Sequence, residues 1–124
     1  MRETLAIAAG VVVALWGIAH AIPTRAVVAG FGEISEDNRR VITQEWLAEA
    51  FMMWFVAAVV ILATLVGEPN SAATEWLYRA SAAALLAVGI LTALTGAKTG
   101  VIWFKICPFL LATTAAALVV ASFI

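Results

Sequence analysis

Apolar residues fill four long runs of the chain, and polar residues gather between them. The runs are Thr4–Ile22, Thr43–Val66, Thr74–Thr95 and Gly100–Phe123. Each has roughly the ~20 mainly apolar residues that a helix needs to cross a bilayer. None alternates with period two, which argues against a β-barrel. The pattern predicts an all-α integral membrane protein, a single domain spanning residues 1–124, with four transmembrane helices in an up-down antiparallel bundle. Pro23 should stop the first helix, and Gly67 with Pro69 the second. The second helix should also start ahead of its apolar run. Ser35 is of N-cap type, and Glu36 and Asp37 suit the positive end of a helix dipole. The helices are therefore placed at about residues 4–22, 36–66, 74–95 and 100–123.

The connections differ in length. Gly67–Ala73 and Gly96–Gly100 are short, as between antiparallel neighbours. Pro23–Ile42 is long, and long loops tend to be functional or flexible. Within it Ala26–Phe31 is apolar and is expected to lie along the interface or fold back over the bundle. Small residues at four-residue steps, Gly89, Ala93 and Ala97, and also Ala112 and Ala116, read as packing seams within the bundle or between subunits. Pro108 should bend the fourth helix near Phe104.

Composition supports lipid as the solvent. The chain is 65% hydrophobic and 12% charged, with mean hydropathy +1.05. Soluble domains are closer to half apolar and about 25% charged. A net charge of −1 and the lack of a basic stripe argue against nucleic acid as a partner. Leu5–Ile18 has the length of a signal-peptide core, and Ala19-His20-Ala21 the form of a cleavage site. Arg2 and Glu3 cancel, however, so the basic start is missing and a membrane helix is expected instead. A single cysteine, Cys107, excludes an intrachain disulfide. Alternate crossings put Arg25, Arg39, Arg40, Lys98 and Lys105 on one side, and Arg2 and Arg79 on the other. The basic side is normally cytoplasmic, which places both termini outside, in a plasma or inner membrane.

The same alternation gathers the unusual residues at one rim. Glu45 and Glu49 lie one turn apart on a shared face at the start of the second apolar run. His20 closes the first helix, and Lys105 lies just inside the fourth. An acid at the depth of Glu49 has three options: to pair with His20 or Lys105, to hold a proton, or to face a water-filled cavity. The structural version is an ion pair joining the second and fourth helices. The functional version is a ligand or proton site. His20 and Glu49 are general acid/base types and the candidate catalytic pair. Glu45, Arg40 and Lys105 are candidate polar ligand contacts, and Trp16, Met52 and Trp54 a candidate apolar wall. Trp46, Trp76 and Trp103 read as interfacial anchors, and Glu75 with Arg79 as a surface pair. Two glutamates with a distant histidine are a loose metal signal, so no metal is assigned. The residues name no cofactor.

Trp16-Gly-Ile-Ala-His-Ala-Ile-Pro23 at the end of the first helix is followed by the loop Val27-Val-Ala-Gly-Phe-Gly32, and then by Glu45 or Glu49 opening the second. Over this first half the chain resembles the DoxX-like small membrane proteins. That resemblance implies a four-helix bundle, some relatives being membrane subunits tied to quinone-dependent redox systems; it supplies no catalytic residue. The layout is also similar to the small multidrug transporters, but those carry their essential acid in the middle of helix one, and Leu5–Ala19 has none. The leading expectation is a site for a small lipophilic ligand, quinone-like or isoprenoid, at the cytoplasmic half of the bundle, with proton transfer by Glu49 and His20 if it catalyses. The alternatives are a non-catalytic membrane subunit of a larger redox complex, and a small proton-coupled transporter working as a homo-oligomer. Membrane lipid is a partner in every case.

Overall fold

Two of the four long helices begin at a serine whose hydroxyl takes up one of the first free N–H groups. The computed structural model describes residues 1–68 and 70–124; Pro69, expected to help stop the second spanning helix, lies outside the described residues. Helix α1 (Arg2–Ala21) ends against Pro23, which itself starts a short helix, α2 (Thr24–Ala29). Helix α3 (Glu36–Val66) opens on Ser35, whose hydroxyl accepts from the Asn38 N–H at 3.2 Å. Helix α4 (Ala72–Leu94) opens on Ser71, which accepts from the Thr74 N–H. This cap starts α4 two residues earlier than the apolar pattern suggests. A 3-10 turn, Gly96–Lys98, leads to α5 (Ile102–Ala121), which runs on through Pro108.

Helices α1, α3, α4 and α5 are long and apolar enough to cross a membrane. Contacts close them into a ring: α1 on α3, α3 on α4, α4 on α5, and α5 on α1. The core is small-grained. Ala6, Ala9 and Val13 of α1, Met53, Ala57 and Val60 of α3, Tyr78, Ala82 and Leu85 of α4, and Leu111, Ala115 and Leu118 of α5 share one core cluster. Each set recurs at three- or four-residue steps, one face of a helix. The opposite faces are apolar too. Leu15, Phe55, Leu65, Ile90 and Phe109 all point outward. Helices apolar all round need an apolar surrounding, and here the rest of the protein covers only one face.

Close approach between α1 and α3 depends on glycine. A Cβ on Gly10 would lie 2.7 Å from Ile61 Cγ1, and one on Gly17 would lie 2.7 Å from Trp54 Nε1 and 3.2 Å from Met53 Cβ. The two glycines are seven residues apart and share a face. Helix α2 folds back on α3 through the buried Val28.

One end of the ring is tied by charge. Arg2 donates to the Ala121 carbonyl at 2.8 Å, to Asn70 Oδ1 at 2.7 Å and to Glu75 Oε1 at 3.2 Å. Arg79 donates to the second oxygen of Glu75, to Ser122 Oγ and to the Ser122 carbonyl, with its guanidinium over the Phe123 ring. Both arginines thus satisfy carbonyls that the end of α5 leaves without helical partners. Glu75 and Arg79 are therefore more than the surface pair expected from their spacing. Arg2 arrives from α1, a contact that sequence separation hides, and all three side chains are more than two-thirds covered. Glu75→Gln should leave two partly buried cations short of an anion. It should cost about 1–2 kcal/mol, between the values for exposed and buried pairs, read as unfolding in graded denaturing detergent.

Candidate functional site

At the other end, the last turn of α1 meets the second turn of the apolar part of α3. His20 Nε2 lies 3.3 Å from Glu49 Oε2 and 3.2 Å from the Trp46 carbonyl oxygen. The hydrogen bond is to the Trp46 carbonyl, so Nε2 carries hydrogen and donates there, with the Glu49 carboxylate beside it as a charge contact. Trp46 answers in kind: its Nε1 donates to the His20 carbonyl at 2.9 Å, and its ring stacks on the imidazole at 4.0 Å and 13°. The His20 carbonyl is one of those that the end of α1 leaves unpaired, so the indole completes the helix end. The edge contact of Trp46 with Phe104, at 5.7 Å, carries the cluster on to α5.

The His20 side chain is 9% exposed and that of Glu49 30%, so the imidazole is packed away while the carboxylate keeps an open side. His20 Nδ1 makes no hydrogen bond among the described residues. No fully buried polar side-chain atom there lacks a partner, so Nδ1 also reaches the surface of the cluster. The pair therefore presents one free ring nitrogen and one free carboxylate oxygen. An imidazole and a carboxylate in hydrogen-bond reach can pass a proton between them.

Three tryptophans hold this pair in register. Trp54 Nε1 donates to the Ala14 carbonyl at 3.2 Å, its ring lying against Gly17. Trp16 Nε1 donates to Cys107 Sγ at 3.3 Å, and its ring meets the edge of Trp103 at 6.5 Å. With Trp46, they join α1 to both α3 and α5. Met52 is half-buried against the core, next to the fully buried Met53.

The other residues singled out from the sequence are not drawn into the cluster. Glu45 is exposed and joins no ion pair among the described residues. Arg40 is exposed and pairs with Glu36 at 3.3 Å, with Arg39 on the same carboxylate at 3.9 Å. Lys105 opens onto a different face, between α4 and α5, so Glu49 joins α3 to α1 rather than to α5. No group of three His, Cys, Asp or Glu side chains suited to a metal occurs among the described residues. Trp46 is the residue whose part the sequence conceals. It reads as an interfacial anchor, yet it lies three residues before Glu49 on the same face, and that spacing is the available signal.

Comparison of the chain with protein-family models, curated proteins and solved structures gives no match.

Proposed function

We propose that the four apolar helices cross a bilayer in alternating directions with both termini outside, and that His20 and Glu49 form the polar end of a site for a small lipophilic molecule, quinone-like or isoprenoid. The excess of basic residues at the His20 end supports placing that end in the cytoplasmic half. The observation that carries the site is the 3.3 Å contact between His20 Nε2 and a Glu49 carboxylate that stays 30% exposed among apolar helices. Ionisable groups at such depth are rare and mark ligand or proton paths. The site offers a ligand hydroxyl two acceptors, Nδ1 and the free carboxylate oxygen. If Nδ1 takes the hydroxyl proton, Nε2 passes its own to Glu49; the pair goes from −1 to neutral, and the ligand oxygen takes up the negative charge.

A second reading is a non-catalytic membrane subunit, in keeping with the DoxX-like resemblance. What favours it is the reciprocal bonding and stacking of His20 and Trp46, which makes the ring a clamp between helices. In that case the exposed Arg40 would dock a soluble partner once Glu36 lets it go.

Mass spectrometry of lipophilic molecules extracted from the purified protein tests the first reading. The wild type should carry a molecule near one per chain. Glu49→Gln, which keeps an acceptor for Nε2–H, should lose it without loss of helix content. Retention of the same molecule by Glu49→Gln would sink the site. Co-purification of a soluble protein that survives Glu49→Gln and is lost on Arg39→Ala with Arg40→Ala would support the second reading.

A further inference from the structure

Away from this pair, α4 and α5 enclose an apolar groove of about 430 Å³ on the outer surface of the ring. The volume is within the roughly 300–1,000 Å³ of small-molecule sites. Gly89 and Ala93 of α4 line one side, continued by Ala97 of the 3-10 turn rather than by the helix seam expected from its spacing, and Lys105, Phe109 and Ala112 of α5 line the other at helical spacing. At Gly89 the groove floor lies against α5, with room for no more than a methyl group. A Cβ there would lie 3.5 Å from Leu111 Cβ and 3.7 Å from the Pro108 carbonyl oxygen. The neighbouring alanines then leave a shallow floor, and Ile90 and Phe109, 59% and 75% exposed, stand up as walls. Lys105 is the single charged residue on the lining, and it forms no ion pair among the described residues.

We infer that this groove binds an anionic phospholipid, one acyl chain lying on the alanine floor and the phosphate on Lys105. The polarity of the groove fits such a ligand: apolar along its length, cationic at one end. Lys105 is one turn inside α5, about 5 Å from its start, so its stem reaches the headgroup level with the ammonium in reach of a phosphate. The charge also argues against a second copy of this chain as the occupant. In a two-fold dimer through this face, with the axis along the bilayer normal, each Lys105 would meet its mate at equal depth with no acid on the lining to separate them. The inference rests on the proposed crossing of a bilayer by these helices, but not on the His20–Glu49 site, which is built on α1 and α3.

The test is retention of lipid by the purified protein, in native mass spectrometry, after exposure to phosphatidylglycerol or phosphatidylcholine with identical acyl chains. Phosphatidylglycerol should be retained about fivefold better, the factor expected for one basic residue near the headgroups. Lys105→Gln should bring it down to the phosphatidylcholine level. Ala93→Leu, which fills the floor from an exposed position, should lower retention of both lipids while leaving helix content unchanged. Equal retention of the two lipids by the wild type, or unchanged selectivity in Lys105→Gln, would overturn the proposal. So would efficient crosslinking of two chains through Ala93→Cys, which would make the groove an interface between copies.

Discussion

Gly17→Leu should separate α1 from α3 and cost about 3 kcal/mol or more, well beyond an ordinary surface change. The first added atom alone would sit 2.7 Å from Trp54 Nε1 and 2.8 Å from Trp54 Cδ1. The indole N–H is spent on the Ala14 carbonyl, and the added atom would also stand 3.2 Å from Met53 Cβ, so relief by a small shift of Trp54 is limited. Displacing Trp54 also moves the turn of α1 that carries His20, so the pair with Glu49 should part in the same variant. Gly100→Ala is the matched control: nothing lies within 4 Å of a Cβ there. It should stay within about 0.5 kcal/mol of the wild type. Denaturation in graded detergent reads both, and tryptophan fluorescence should report the release of Trp54 in Gly17→Leu only. A wild-type melting curve for Gly17→Leu would mean that α1 and α3 are not packed as described.

Replacing the polar pair as a unit, His20→Phe with Glu49→Leu, should leave stability within about 1 kcal/mol of the wild type or raise it, as replacing both members of a covered polar pair by apolar groups of similar shape often does. The phenyl ring keeps the stack on Trp46, and Trp46 Nε1 keeps its acceptor, which is a backbone carbonyl. Neither replacement leaves an ionised group facing apolar helices, whereas Glu49→Leu alone would leave His20 Nε2 without the carboxylate. Ligand retention in the double variant should be lost entirely. Gain of stability with loss of the lipophilic molecule would show the pair serving binding at the expense of the fold. Marked destabilisation of the double variant would instead make the pair a clamp, and the membrane-subunit reading would take its place.

Several features of the cluster were within reach of the sequence. Glu49 stands deep in an apolar run, and His20 closes another, so opposed helices bring an acid and a base to one rim. The choice of partner was not. Lys105 and His20 are equally plausible for Glu49 by depth along the helix; rotation about the helix axis decides, and rotation is set by packing. Gly10 and Gly17 turn α1 toward α3, while Lys105 faces outward between α4 and α5. Trp46 was concealed for the same reason. An indole near a helix end suits lipid headgroups as well as it suits an imidazole, and only the approach of α1 selects the second. At the opposite end Arg2 and Glu75 are 73 residues apart, beyond any local pattern.

By itself, then, the order of residues determined how many apolar helices form, where Ser35 opens the longest of them, and that their outward faces call for an apolar surrounding. These follow from hydropathy summed over ~20 residues and from capping chemistry within one turn, both local quantities. Only the tertiary structure decided which faces meet: His20 with Trp46 and Glu49, Arg2 with Glu75, and an open groove where α4 and α5 cross at Gly89. Those choices rest on which small residues let two backbones approach, and in a chain where nearly every helical position is apolar, hydropathy cannot distinguish one face from another.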